Sequence, residues 1–188
     1  MIPAAVDIAY KYRGGLLEVA HRGRVCVVSE SGVQHSVGDP NAPTFFRSSS
    51  KPMQSLPFLA RDPDNKYGFT AEETAILSGS HHGEPPHIAA LESILVKAEL
   101  SEPSFVMKPA YPSNEACARA LIAQGLPPRK IYHTCFGKHV AMQLLSRELG
   151  LPVGDYWRMD SPVHGEILRT IKLLSGANEK HIQCGIDG

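Results

Sequence analysis

The 188 residues predict an α+β (mixed α/β) chain, an antiparallel sheet followed by packed helices. Two observations carry that reading. The first fifty residues alternate at strand period around glycine turns, whereas from Lys51 onward apolar residues recur at helical spacing. No regular exchange of strand and helix follows, so a doubly wound parallel sheet is not expected.

In order, Leu16–Ala20 and Arg24–Val28 flank His21-Arg22-Gly23 and predict a hairpin. Ser31-Gly32 turns the chain into Val33–Val37, extending the pair into a meander that Gly38 to Pro43 interrupts. Met53, Leu56, Leu59 and Ala60 mark a first helix that Pro57 bends or shortens. Thr70 with Glu73 has capping-box spacing, opening a segment to about Ser78. Helices are expected over 86–99, from a Ser113 cap to Gly125, and over 136–149. Another follows Ser161-Pro162, a cap with proline in the first turn, through Ile167, Ile171 and Leu174.

The length suits one domain with a sizeable core, and 43% hydrophobic with 20% charged residues is ordinary for a soluble protein. Nineteen basic residues balance nineteen acidic ones, which argues against a nucleic-acid partner. No stretch approaches the roughly 18 apolar residues of a membrane span, so no membrane partner is expected. Residues 1–15 show no charged leader followed by an apolar core, so no export signal is expected, and Cys26, Cys117, Cys135 and Cys184 are far apart. A cytoplasmic protein with reduced thiols is expected, with Cys26 as a small buried hydrophobe in Val25-Cys26-Val27-Val28.

Three clusters hold the candidate chemistry. Ser48 and Lys51 have Ser-x-x-Lys spacing, which places hydroxyl and amine on one face of a helix start. A lysine so placed takes the hydroxyl proton where burial or a nearby cation disfavours its charged form, and free N–H groups at a helix start stabilise an oxyanion. Pro52 disfavours helical geometry at Lys51, so the helix is expected to begin a residue or two late. A cap serine beside a solvated lysine would use the same residues. The second cluster, Ser78-Gly79-Ser80-His81-His82-Gly83-Glu84, sets hydroxyls, imidazoles and a carboxylate between glycines. The third, His133-Thr134-Cys135-Phe136-Gly137-Lys138-His139, offers a thiol either as metal ligand or as tuned nucleophile. Residue chemistry alone reaches a hydrolase or transferase with a serine nucleophile.

Taken in order, Arg47-Ser48-Ser49-Ser50-Lys51-Pro52, Ser80-His81-His82-Gly83-Glu84, His133 to His139 and Cys184-Gly185-Ile186-Asp187-Gly188 resemble the L-asparaginase II family. Tyr12-Arg13-Gly14-Gly15 and the segment 18–23 resemble its N-terminus, so the resemblance spans nearly the whole chain. It implies a fold similar to serine β-lactamases and glutaminases, and hydrolysis of L-asparagine to aspartate and ammonia. It implies Ser48 as nucleophile, Lys51 as its base and Ser80 as second serine, with Arg47, His139 and Asp187 lining the substrate pocket. Charge complementarity suits Arg47 to the substrate carboxylate and Asp187 to its ammonium. It further implies zinc held by Cys135, Lys138 and a second cysteine, and no organic cofactor; a homodimer is left open. Phe136 and His82 depart from the small residues and serine common in the family. The family continues past the Asp187-Gly188 pair to that second cysteine and a further catalytic lysine, so the chain is expected to be an N-terminal part. An inactive ligand-binding or assembly module is the alternative, and a penicillin-recognising amidase on Ser-x-x-Lys a third.

Overall fold

The computed structural model describes residues 4–178, 180 and 182–185. The chain divides into two compact units, residues 1–46 and 47–188.

The first unit holds two antiparallel hairpins. Strand β1 (Val6–Arg13) pairs with β2 (Leu16–Gly23), and β3 (Val25–Ser29) with β4 (Gly32–Val37). The first turn falls at Gly14 and Gly15, whose φ angles of 55° and 82° are both positive. A two-residue turn matching the strands' right-handed twist needs that conformation at both positions, and glycine adopts it without a Cβ penalty. This corrects the expected meander: the segments around Gly23 lie in two separate two-stranded sheets, and β1 was not anticipated. The turn at Gly32 falls as expected. Cys26 is exposed rather than buried, because both faces of β3 are exposed along its length.

The second unit is helical. A 3-10 turn, Arg47–Ser50, leads into α1 (Lys51–Leu59), followed by α2 (Pro63–Tyr67), α3 (Ala71–Ile76), α4 (Pro85–Lys97), α5 (Glu115–Ala123), α6 (Phe136–Glu148) and α7 (Pro162–Ser175). With the two small sheets this is a mixed α+β chain. Helix α6 is buried nearly all round: Val140, Ala141, Met142, Leu144 and Leu145 join a core with Phe58, Leu77, Leu91, Ile94, Ile131 and Tyr156. Helices α1 and α7 pack on it and on each other. Each such side chain contributes roughly 1.5–3 kcal/mol of burial, so α6 is the element around which the unit is built.

Polar ties set the ends of these helices. Thr70 and Glu73 form both halves of the predicted capping box, and buried Glu73 also pairs with Lys97 Nζ at 2.7 Å, joining α3 to the end of α4. Glu148 accepts from Tyr67 Oη at 2.6 Å and pairs with Lys66, tying α2 to α6. Arg147 Nη1 donates to Ala98 O at 2.6 Å, satisfying a carbonyl at the end of α4. Ser161 caps α7 as expected, with Pro162 in the first turn. The cap of α5 is Asn114, not Ser113: its side chain accepts from Cys117 N–H at 3.1 Å. Among the described residues no helix is long and apolar enough to cross a membrane.

Candidate active site

The three serines after Arg47 differ in role. Ser50 is buried; its hydroxyl donates to Arg47 O at 2.8 Å and accepts from Gln54 Nε2 at 2.6 Å. Those bonds hold Arg47 at φ 51°, a left-handed conformation that costs a non-glycine residue on the order of 1 kcal/mol. Ser48 and Ser49 are exposed. Lys51 is the first residue of the α-helix despite the proline that follows it, with Pro52 in the first turn, and Ser48 lies on the preceding 3-10 turn. In such a turn residues three apart eclipse, which keeps Ser48 and Lys51 on one side.

Lys51 is 2% exposed and has no carboxylate partner among the described residues. Its Nζ donates to Ser80 Oγ at 2.6 Å and to Thr134 O at 3.3 Å. The same carbonyl accepts His81 N–H at 3.3 Å. One backbone oxygen thus joins the Lys51 cluster to the other two, whose contacting residues lie 29 and 83 residues away along the chain. Lysines are rarely buried unless paired, and here the amine is carried through the interior to an exposed serine hydroxyl. Ser48 makes no hydrogen bond to Lys51 among the described residues.

Residues 9–188 match the family model for L-asparaginase II. The chain belongs to the L-asparaginase II family. The family points to a function of the asparaginase type. No curated protein matches the chain.

In this asparaginase II chain His81 and His139 are held neutral. His81 is buried, its Nδ1 accepts from Gly83 N–H at 3.1 Å, and its Nε2 has no partner among the described residues. Burial, with His87 and Lys51 close by, pushes its pKa down to about 4. His139 is pushed down to about 3, chiefly by burial and then by Lys138, His133, Lys51 and His164. Its Nδ1 meets Tyr156 Oη at 3.1 Å. Among the described residues, those of the site around it are cationic or neutral, which suits an anionic or carbonyl ligand. Asp187, the expected partner for a substrate ammonium, lies outside the described residues.

The residues at positions 136 and 82, where the resemblance implies smaller ones, have partners of their own. Phe136 is fully buried with its ring 4.5 Å from that of Phe105, so the larger side chain fills core space. His82 is exposed and bonds Ser113 Oγ at 3.1 Å through Nδ1. Between Phe136 and Lys138, Gly137 is required by contact: a Cβ there would lie 2.2 Å from Ile76 O. The absent side chain lets the first turn of α6 rest on the end of α3, which brings residues 133–139 against Ser80 and His81.

Zinc places a stricter demand. Cys135 caps α6 and Lys138 follows three residues later, so both lie on one side of its first turn. Cys135 N–H donates to His133 Nδ1 at 3.2 Å, and Cys135 Sγ lies 3.8 Å from Thr134 Oγ1. Among the described residues no group of three His, Cys, Asp or Glu gathers as metal ligands. Two donors, one a lysine that must be neutral, fall short of the four of a structural zinc site. The described residues alone therefore do not make one.

Sequence reasoning singled out Lys51, Ser80 and His139 but not Thr134 O, Ser50, Gln54 or Tyr156. Thr134 acts through its carbonyl, for which no side-chain pattern exists. A cavity of about 180 Å³ lined by Ser146, Pro152, Asp155, Arg158 and Asp160 includes none of the candidate residues.

Proposed function

We propose that this chain carries the L-asparagine amidohydrolase site of its family, releasing ammonia and L-aspartate through a serine ester. The observation that carries the reading is buried Lys51, with no carboxylate partner among the described residues, delivering its amine to exposed Ser80 at 2.6 Å. Ser48 Oγ attacks the side-chain amide carbon, and its proton passes to the Lys51 amine. The C–N bond breaks as that proton reaches the leaving nitrogen, giving ammonia and a β-aspartyl ester. Water then attacks the ester, its proton returns through Lys51, and Ser48 leaves as the free hydroxyl. Ser80 orients the lysine and relays the proton. Arg47 receives the substrate carboxylate, Asp187 its ammonium, and His139 donates to a substrate oxygen. Zinc on Cys135, Lys138 and a further cysteine belongs to this reading as a clamp on the start of α6, with no step in the chemistry. Metal analysis of the purified protein tests it.

The Lys51–Ser80 bond favours a second reading in which Ser80 is the nucleophile and Lys51 its base. Peptide mapping of the trapped acyl-enzyme separates the two. An ester on Ser48 supports the first, and one on Ser80 replaces it. Asparagine binding with no ammonia release from any preparation would favour an inactive binding module instead.

A further inference from the structure

Tyr156 lies between α6 and α7, fully buried, its ring edge-on to both Phe105 and His139 with interplanar angles of 70° and 78°. Its hydroxyl has two partners among the described residues: Val106 N–H at 3.4 Å and His139 Nδ1 at 3.1 Å. Proton counting sets the direction of the second bond. The Val106 amide can only donate, so it takes a lone pair of Tyr156 Oη. Were His139 Nδ1 also protonated, two donors would point at the phenol oxygen, and the phenolic proton would be buried with no acceptor among the described residues. Leaving a buried donor unmade costs more than an ordinary bond contributes. With Nδ1 bare, Val106 donates to Tyr156, Tyr156 donates to His139, and every group is satisfied. A neutral imidazole whose Nδ1 is bare carries its proton on Nε2.

We infer that Tyr156 is a positioning residue: through its hydroxyl it holds His139 as the Nε2–H tautomer, with that N–H turned to the substrate's oxygen. The use made of the N–H rests on the asparaginase reading given above; the tyrosine's hold on the ring does not. The wrong tautomer, or a ring turned about its Cβ–Cγ bond, would set a lone pair against the substrate oxygen. Packing on Phe105 explains why an aromatic residue stands at 156, but not why that residue has a hydroxyl. The bond to Nδ1 does.

The test uses the whole chain labelled with ¹⁵N-histidine, the Tyr156→Phe variant, which keeps the ring, and His139→Gln, whose amide nitrogen stands near the place of Nε2. In the wild type, long-range ¹H–¹⁵N spectra should show His139 with Nδ1 unprotonated and hydrogen-bonded; in Tyr156→Phe that nitrogen should shift toward the free value. Ammonia-release kinetics should show KM for L-asparagine raised about tenfold in Tyr156→Phe, one good hydrogen bond's worth, with kcat within about twofold. In a His139→Gln background the tyrosine substitution should add nothing. A protonated Nδ1 in the wild type overturns the inference before any variant is made. So does a KM unchanged by Tyr156→Phe while the Nδ1 signal moves. A wild type that turns over no asparagine strikes the asparaginase reading instead, and the substrate-free nitrogen spectrum tells the two failures apart.

Discussion

Arg47 sits in left-handed backbone because two side chains hold it there. Ser50 donates to its carbonyl, and Gln54 donates to Ser50. Ser50→Ala removes both bonds at a buried position and should cost about 1–2 kcal/mol, read as a lower urea midpoint. It should also lower kcat/KM, because Arg47 and Ser48 ride on that turn. An unchanged midpoint would mean that the left-handed residue needs no such hold. His81 gives a second residue-scale prediction. Its folded pKa of about 4 lies below the ordinary 6.5, so the unfolded chain binds its proton first as pH falls. The stability it contributes is complete above about pH 6.5 and is lost as pH falls through 4, a change on the order of 3 kcal/mol. Denaturant midpoints at pH 7 and 4.5 measure it, and His81→Gln should flatten the difference. At this scale the sequence was legible where a side chain carries the chemistry, as with Lys51 and Ser80. It was silent where a backbone atom does, as with Thr134 O, and where proximity comes from distant chain, as with Tyr156.

Among the elements, α6 decides where the third cluster meets the second. Its first turn rests on the end of α3 at Gly137, and a Cβ there would meet the Ile76 carbonyl at 2.2 Å. Backbone cannot yield as a flexible side chain does, so Gly137→Ala should destabilise by about 2–4 kcal/mol, as overpacking in a tight core does, and be read as a lower Tm. It should also separate Thr134 from Lys51 and depress activity in whatever protein remains folded. A thermally unaltered Gly137→Ala would contradict this crossing. The starts of α3 and α7 were legible because capping is local: Thr70 with Glu73, and Ser161 before Pro162, are signatures within four residues. The start of α5 was missed by one residue because Ser113 and Asn114 are both good caps, and only the register of Cys117 N–H chooses between them. Strand β1 escaped notice because its Tyr and Lys residues dilute the alternation, although Gly14-Gly15 was a usable hairpin signal.

For the molecule as a whole, the two units differ in what holds them. Among the described residues of 4–46 none is buried, and Ile8, Tyr10, Leu16, Leu17 and Val28 are exposed. An isolated two-stranded hairpin is marginal in water, so amides of β1 to β4 should exchange far faster than those of Leu144 and Leu145. Equal protection in native-state hydrogen exchange would mean that these hairpins gain stability from burial not evident here. The α+β class was legible because strand and helix periods occupy different stretches. The two-unit division was not, because an apolar run such as Val25–Val28 looks the same whether its faces are covered or bare, and Cys26 was misplaced for that reason. The family match runs from residue 9 to 188, across both units. The proposed reaction is hydrolysis of asparagine by a serine with Lys51 as its base. Its most direct test is ammonia release from L-asparagine by the wild type, Ser48→Ala and Ser80→Ala side by side. The wild type should release ammonia, Ser48→Ala should fall by about a thousandfold or more, and Ser80→Ala should show a smaller but clear fall. Ammonia released by Ser48→Ala at the wild-type rate would contradict it.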